Sequence, residues 1–354
     1  MKAGLFRKLL YQWSSDHPRE LPWIGEKDPY KIWISEIMLQ QTRAETVVPF
    51  YLRFIGEFPN LSAVANASET KLMLYWQGLG YYSRLRNLHH TAQEIVARYK
   101  GKFPEHFEQI VALKGIGKST ASAIASFAYG NPYPVLDGNV VRVLARIFGL
   151  EHSFFTQSGK KRYEELAVEM LDRTNAGHYN QAIMNFGALC CTPKSPECSL
   201  CTFRKECVAF QENLVLDLPL KRPKLDKRRR YFHYFVVSDS KGRLVLHQRQ
   251  DNDIWKNLFE FFGIESQSIS FSKIDLRSQF LLAGFELDEV RKWQKLSTVK
   301  QALTHQIVEM MFWTSEVHVK QIKHVPHYLL VDRKKLNNFA FSRKTSNFIK
   351  QFII

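Results

Sequence analysis

Apolar residues recur at helical spacing from the start of the chain to about residue 210, with breaks at proline or glycine. The stretch DPYKIWISEIMLQQT has a typical helix start, with Asp28 as the cap and Pro29 at the first helical position. Further amphipathic segments cover residues 45–56, 68–76, 83–99, 106–112, 119–129, 138–148, 160–174 and 178–189. We therefore predict an all-α domain over residues 1–213.

The pattern changes at PLKRPKLDKRRR, where seven of the ten residues 221–230 are basic and nothing is periodic. We assign residues 214–228 to a basic linker that either stays solvated or lies along phosphates. Beyond it, YFHYFVVSDSKGRLVLHQRQ predicts a hairpin of two strands, and EVHVKQIKHVPHYLLV predicts further strands. Residues 229–354 are accordingly predicted to form a separate α+β domain.

Composition and charge narrow the class of protein. No apolar run is long enough to span a bilayer, and polar residues come too early for a signal peptide, so we expect a cytoplasmic protein. The net charge of +16 and the pI of about 9.6 favour a polyanionic partner, nucleic acid above all. A basic surface that serves only solubility is the alternative, so charge motivates the hypothesis without deciding it.

All five cysteines fall between residues 190 and 207. In a reducing compartment such a group favours a metal site over disulfides. Cys191, Cys198, Cys201 and Cys207 have the spacing C-x6-C-x2-C-x5-C, which suits an iron–sulfur cluster or zinc; a single CxxC pair favours the cluster. Cys190 is expected to be a small buried apolar residue.

A tight turn leads into a helix at LKGIGKSTASAIASFAYG. Gly115 and Gly117 would let backbone amides approach a phosphate at the helix N-terminus, where Lys118 adds positive charge. Any corner between two helices can use two glycines, so this signal gains weight only from the basic chain around it.

Two carboxylates stand out for different reasons. Glu36 lies in the middle of the helix WISEIMLQQT with apolar residues at nearly every angle, which predicts desolvation and a raised pKa. Asp137 precedes a Gly-Asn pair that leads into a helix, so its default role is an N-cap. The sequence alone does not bring the two together.

The order of turn, aspartate and C-x6-C-x2-C-x5-C resembles that of the helix-hairpin-helix DNA glycosylases, which include endonuclease III and the MutY-type adenine DNA glycosylases. The stretches LPWIGEKDPYKIWISEIMLQQT, GLGYYSRLRNL and LDGNVVRVLAR look like the adenine glycosylase branch in particular. This resemblance covers nearly all of residues 1–210. A weaker one covers the C-terminal domain, which resembles that family's Nudix-like 8-oxoguanine reader.

The resemblance implies roles for individual residues. Glu36 would protonate the departing adenine at N7, Asp137 would stabilise the oxocarbenium-like sugar, and Asn139 would position the acidic groups and water. Gln41 and Tyr81 would wedge into the duplex beside the flipped base. The adenine pocket would be lined by Trp23, Leu39 and Gln181, although each of these could equally serve packing.

Ser119 separates the two branches that the motifs match. Endonuclease III-type enzymes carry a lysine there, which attacks the sugar and forms a Schiff base. A serine cannot form an imine, and the side chain of Lys118 is turned by about 100° from that of Ser119 along a helix. We therefore predict base removal without efficient strand cleavage, with a bifunctional lyase as the alternative.

The C-terminal domain departs from catalytic Nudix enzymes. After Gly263 the sequence IESQSISFSKIDLRSQF lacks the glutamates that such enzymes use to bind metal. The family's Phe-Ser-His reading loop corresponds to Leu303-Thr304-His305, which keeps a hydroxyl and the histidine and loses the aromatic ring. Thr304 and His305 are therefore the expected lesion-reading residues. Ile24 and Lys114 are two further departures from the family pattern.

We thus expect a monomeric base excision repair enzyme that binds duplex DNA and removes adenine opposite 8-oxoguanine or guanine. We do not expect it to bind a membrane. A [4Fe-4S] cluster in the loop 191–207 would support it. It would be nucleoid-associated when acting. The alternative from a different class is a non-enzymatic, metal-bearing DNA-binding protein. A zinc site is the alternative to the cluster.

Overall fold

A computed structural model of the chain describes residues 1–222, 226–250, 252–269, 276–287, 293–322 and 327–354. Contacts along the chain divide it into two compact units. The first comprises Met1–Ala67 and Arg86–Pro223, and the second Ser68–Leu85 and Lys224–Ile354. A short segment from the helical half therefore belongs to the second unit, an arrangement that the linear division at residues 213 and 229 does not contain. None of the described helices is long and apolar enough to cross a membrane.

The N-terminal part of the chain is helical, as predicted. Its helices are α1 (Ala3–Asp16), α2 (Pro29–Leu39), α3 (Ala44–Glu57), α4 (Leu61–Asn66), α5 (Glu69–Trp76), α6 (Tyr82–Tyr99), α7 (Phe107–Ala112), α8 (Lys118–Tyr129), α9 (Gly138–Phe148), α10 (Gln157–Met170), α11 (Ala176–Leu189) and α12 (Val208–Gln211). The prediction of a helix over residues 160–174 was misplaced by a turn. The Thr156 side chain caps α10 by accepting from the amide of Gly159, and Asp172 folds the following residues into a turn.

The first unit is held together by an aromatic and aliphatic core beneath α1, α9 and α11. Phe6 packs its ring 5.1 Å from that of Phe203, and the Trp13 ring meets Phe186 edge-on at 5.0 Å. Helix α11 packs against both α8 and α9, while α2 packs against α8. These contacts place the N-termini of α8 and α9 beside the C-terminal half of α2, where the site lies.

The second unit contains one mixed sheet in the residues that the structure describes. Its strands are β1 (Arg228–Asp239), β2 (Leu244–Gln248), β3 (Phe259–Ser266), β4 (Phe285–Leu287), β5 (Gln294–Ala302), β6 (Gln306–Ile322) and β7 (Tyr328–Val331). The strand order is β4-β6-β1-β3-β2-β7, with β5 paired to the other part of β6. β1 runs parallel to β6 and antiparallel to β3. The α+β prediction is therefore confirmed.

The predicted hairpin of β1 and β2 is only partly formed. The two strands pair at Ser238 and Leu244, next to the turn, where Asp239 Oδ1 accepts from the amides of Lys241 and Arg243. Further along, β3 lies between them. The aromatic run in β1 is buried against neighbours on both edges, which a two-stranded ribbon does not provide.

Helices and aromatic side chains cover the sheet. The C-terminal part also contains α13 (Leu276–Leu282), a 3-10 helix (Arg333–Asn338) and α14 (Arg343–Phe352). Phe348 of α14 stacks on Phe312 of β6 at 3.9 Å, and Phe280 of α13 stacks on Phe262 of β3 at 4.0 Å. Part of the stretch after Gly263 that lacks the Nudix glutamates lies outside the described residues.

Candidate active site

Glu36 and Asp137 line one cavity of about 1010 Å³ in the first unit. Glu36 comes from α2 and Asp137 from the N-terminal end of α9. The other predicted residues along its wall are Trp23, Leu39, Gln41, Gly117, Ser119, Asn139 and Gln181. The fold thus gathers, in one concave site, residues that the sequence suggested separately.

Glu36 is a desolvated acid on the wall of the cavity. Its neighbours on α2, Ser35 and Ile37, are buried, and the carboxyl reaches the cavity. Desolvation raises the pKa of Glu36 from 4.5 to about 8, and repulsion by Asp137 adds to the rise. Glu36 therefore carries a proton at neutral pH that it can donate to a group in the cavity.

Asp137 is both a helix cap and a member of the site. Its Oδ1 accepts from the Val140 amide at 2.8 Å, and its Oδ2 accepts from Asn139 Nδ2 at 3.0 Å. Desolvation raises the pKa of Asp137, while these hydrogen bonds and the charge of Arg142 oppose the rise. These hydrogen bonds and the positive end of α9 favour the carboxylate form of Asp137.

The turn before α8 has the features of an anion-binding corner. Gly115 has φ +81°, and a Cβ there would lie 2.7 Å from Asn87 Cβ. Both the left-handed backbone conformation and the steric overlap therefore exclude a side chain at this position. Gly117 caps α8 without a side-chain hydrogen bond to the first turn. Ser119 faces the cavity, whereas Lys118 Nζ lies 3.2 Å from Glu164 Oε1. Lys118 is therefore directed elsewhere than Ser119.

The residues predicted to line the adenine pocket and to wedge into the duplex lie in different environments. The Trp23 ring meets Tyr51 edge-on at 5.3 Å, and Gln181 Nε2 donates to Asn185 Oδ1 at 3.1 Å. Gln41 is exposed at the rim with φ +58°. Tyr81 belongs to the second unit, where it is 44% exposed and has φ +50°. Ile24 lines a neighbouring cleft with Leu21 and Pro22.

The cysteine segment folds against two buried arginines. Arg146 Nη1 donates to Cys191 Sγ at 3.4 Å, and Cys207 Sγ donates to the Arg146 carbonyl at 3.4 Å. Burial raises the pKa of the Cys207 thiol to about 11, and the other three spaced thiols add to the rise, so all four lie within electrostatic reach of one another. Across the described ranges, no three His, Cys, Asp or Glu side chains converge on one ion position.

Two further observations concern whether the surroundings of these four cysteines suit a bound metal group. The Thr202 hydroxyl, between two of the cysteines, is buried and lacks a hydrogen-bond partner within the part of the chain that the structure describes. Cys190 is buried as expected, and its thiol hydrogen-bonds to Cys201. The buried Arg146 guanidinium beside the Cys191 thiol and the unsatisfied Thr202 hydroxyl are groups that could bind an anionic sulfur-containing group.

Comparison with known proteins identifies the family. Residues 34–171 match the HhH-GPD superfamily base excision DNA repair protein family, and residues 233–351 match the NUDIX domain. An adenine DNA glycosylase of Buchnera aphidicola subsp. Schizaphis graminum is 37% identical over 272 residues, which cover 75% of this chain and 77% of that protein. The chain belongs to the adenine DNA glycosylase family.

More distant glycosylases agree with this assignment. The human adenine DNA glycosylase is 37% identical over 215 residues, or 58% of this chain and 39% of the human protein. A thermostable thymine-DNA glycosylase structure superimposes with a TM-score of 0.55 at 26% identity, covering 59% of this chain and 97% of that one. A non-covalent endonuclease III–DNA complex gives a TM-score of 0.53 at 19% identity, covering 60% of this chain and 99% of that one, and shows the shared fold. The predicted family and the two-domain fold class are confirmed.

Arg142 is a site residue of this adenine DNA glycosylase that the sequence reasoning missed. It is 8% exposed, and its Nη2 donates to Asn139 Oδ1 at 2.9 Å and to the Gly187 carbonyl at 2.6 Å. Its Nε donates to the Cys191 carbonyl at 2.7 Å. One guanidinium thus fixes the Asn139 amide, which in turn holds Asp137, and ties both to the cysteine segment. Two arginines on the buried side of α9, four residues apart in RVLAR, were the available signal.

The predicted reading loop of the glycosylase is an exposed turn. Thr304 and His305 lie between β5 and β6 and are both exposed. Lys227 Nζ donates to the Leu303 carbonyl at 2.6 Å, and the Arg228 amide donates to the His305 carbonyl at 3.3 Å. The end of the basic stretch therefore supports this turn from one side. The carbonyl of Lys114, the other departure, accepts from Thr91 Oγ1 at 2.8 Å.

Proposed function

We propose that this adenine DNA glycosylase hydrolyses the N-glycosyl bond of adenine paired with 8-oxoguanine, or with guanine, in duplex DNA. The observation that carries the proposal is that one cavity holds both Glu36, with its pKa raised to about 8, and Asp137, whose carboxylate accepts two hydrogen bonds. Glycosyl-bond hydrolysis uses two carboxyl groups in different environments, one that donates a proton and one that acts as a carboxylate. The cavity also has room for a purine base.

The reaction follows from these roles. Adenine leaves the base stack and enters the cavity beside Trp23, Leu39 and Gln181. Glu36 donates its proton to N7, the bond between C1′ and N9 breaks, and the electron pair stays on the base. Asp137, oriented by Asn139, stabilises the positive sugar. A water molecule then adds its oxygen to C1′ and returns a proton to the carboxylates, which leaves free adenine and an abasic site.

The proposed enzyme stops at the abasic site. Ser119 faces the cavity and offers a hydroxyl, which forms no Schiff base with the sugar. Lys118, the neighbouring amine, pairs with Glu164. Borohydride reduction on an abasic duplex tests this directly: little covalent complex is expected, and efficient trapping would support the bifunctional lyase.

We further propose that Cys191, Cys198, Cys201 and Cys207 hold a [4Fe-4S] cluster. The cluster would supply a fixed framework for the segment around it, while Arg146 and Arg142 offset the charge of the thiolates. Iron in the purified protein and broad visible absorbance are the expected results. A colourless protein with one equivalent of zinc would establish the alternative.

Duplex DNA is the proposed partner and the chain is proposed to act as a monomer. The net charge of +16 and the amides at Gly115 and Gly117 favour phosphate contacts. Gln41 and Tyr81 would fill the gap left by a flipped base. Thr304 and His305 would read the opposite base, with Leu303 replacing the aromatic contact of its relatives.

The decisive experiment measures adenine release from duplexes that carry adenine opposite 8-oxoguanine, guanine or cytosine. We expect the fastest release opposite 8-oxoguanine and background release opposite cytosine. Glu36→Gln and Asp137→Asn should abolish release, and Glu108→Gln, on the exposed side of α7, should not. Release that stays at background in the unaltered protein and is unchanged in the first two variants would leave only a DNA-binding protein.

A further inference from the structure

The segment Ser68–Leu85 is part of the second unit although it lies far from the rest of that unit in sequence. It contains α5 and the loop Gln77–Tyr81, and it ends in the first turn of α6. Its most exposed aromatic side chain, Tyr81, has the left-handed backbone conformation that non-glycine residues rarely adopt. Such a conformation persists only where the surroundings enforce it.

Contacts inside the segment account for part of that enforcement. Gly78 and Gly80 have φ values of +99° and +81°, which lets the chain reverse before Tyr81. The Gly80 carbonyl accepts from Trp76 Nε1 at 3.1 Å and from Arg84 Nη2 at 3.2 Å. The Arg84 guanidinium also lies 5.2 Å from the centre of the Tyr81 ring.

Three hydrogen bonds attach the same segment to the C-terminal part of the chain. Gln77 Nε2 donates to Ser346 Oγ of α14 at 2.9 Å, immediately before the loop reverses. The Tyr82 hydroxyl, next to Tyr81, donates to the Phe341 carbonyl at 3.3 Å. At the start of α5, Glu69 Oε1 accepts from Asn257 Nδ2 at 2.8 Å.

These attachments rest on rigid supports. Phe341 is 2% exposed and bridges to Phe259 at the end of β3, and α14 is anchored on the sheet by the stacking of Phe348 on Phe312. Tyr82 is itself buried and also accepts from the Gly78 amide at 3.5 Å. Both sides of Tyr81 in the chain, Gln77 and Tyr82, are therefore fixed to well-packed elements of the Nudix-like domain.

We propose that the Nudix-like domain, through Ser346 and the Phe341 carbonyl, positions Tyr81 for insertion into DNA. The domain that carries Thr304 and His305 would then hold one wedge residue as well as read the opposite base. Ser346 and Tyr82 act as positioning residues. The proposal rests on the proposed function in one respect, that Tyr81 contacts the duplex.

The test uses the full-length protein with Ser346→Ala, Tyr82→Phe and the double variant. Ser266→Ala is the matched control, because Ser266 Oγ bonds to His233 Nε2 at 3.0 Å in the same unit without touching the segment. Two hydrogen bonds of ordinary net strength bias a conformational equilibrium by about 10-fold. Thermal melting and circular dichroism verify that each variant folds. If the double variant does not fold, the single variants are used in its place.

The first readout is amide hydrogen exchange over residues 77–84 without DNA. Exchange should become about 10-fold faster in the double variant and stay unchanged in the control. The second is single-turnover adenine release, which should fall about 10-fold with Tyr81 present and less than about 2-fold in the Tyr81→Ala background.

The outcomes separate this inference from the proposed function. Unchanged exchange, or an equal loss of rate with and without Tyr81, overturns the positioning role. If the unaltered protein releases no adenine, the proposed function fails, and the exchange experiment still decides whether the domain fixes this segment.

Discussion

Raising the pH from about 7 to about 10 should remove the proton from Glu36 and, with it, the release of adenine. With a pKa of about 8, Glu36 is roughly 90% protonated at neutral pH, whereas a glutamate with the ordinary pKa of 4.5 would be roughly 0.3% protonated. Burial, together with the repulsion by Asp137, therefore increases the protonated fraction of Glu36 about 300-fold. Above its pKa, the single-turnover rate should fall about tenfold per pH unit.

The same ionisation has a consequence for stability. Glu36 keeps its proton in the folded state up to about pH 8, whereas the unfolded chain releases it near 4.5, so stability falls as the pH rises through that window. Above the folded-state pKa of about 8, the full loss of stability is on the order of 5 kcal/mol. Glu36→Gln removes the ionisable group and should gain stability, relative to the unaltered protein, as the pH rises.

Two measurements check this reasoning. Single-turnover release is followed across the pH range on a duplex with adenine opposite 8-oxoguanine, and urea unfolding of both proteins is compared at acidic and alkaline pH. Glu108→Gln, an exposed glutamate on α7, is the control and should change neither. A rate that stays level into alkaline pH, or a stability difference that does not widen with pH, would show that Glu36 is not the desolvated acid described above.

Other substitutions probe the rest of the site. Asp137→Asn keeps a good N-cap, so the free energy of unfolding should change by less than about 1 kcal/mol while the rate of adenine release falls at least about 100-fold. A loss of rate that is explained by a matching loss of folded protein would contradict a chemical role. Arg142→Gln leaves buried carbonyls unpaired and should cost about 3 kcal/mol in urea unfolding, whereas exposed Arg162→Gln should cost almost nothing. Ser119→Lys should allow covalent trapping by borohydride on an abasic duplex. If no trapping occurs, residue 119 does not face the cavity as assigned. Cys198→Ser should lower bound iron and visible absorbance, and an unaltered spectrum would exclude this cysteine as a ligand.

Local signals in the sequence were sufficient for much of the fold. The side chain of Asp28 accepts from the Tyr30 amide and Pro29 opens α2, as expected, because a cap depends on residues within one turn. The cap role of Asp137 and the start of the helix after Gly117 follow from the same short-range chemistry. The cysteine spacing also lies within one short segment, so its pattern was visible without a structure.

Contacts between distant parts of the chain were decided only by the tertiary structure. Glu36 and Asp137 are about a hundred residues apart, and they share a cavity because α2 packs on α8, α8 on α11, and α11 on α9. Three other features also depend on contacts between distant residues. They are the hydrogen bonds from Arg142 to Asn139 and Cys191, the position of β3 between β1 and β2, and the membership of Ser68–Leu85 in the C-terminal unit. Hydrophobic periodicity says which face of an element is buried but not which partner covers it, since apolar attraction has no direction. Partner choice instead depends on the packing of the whole core.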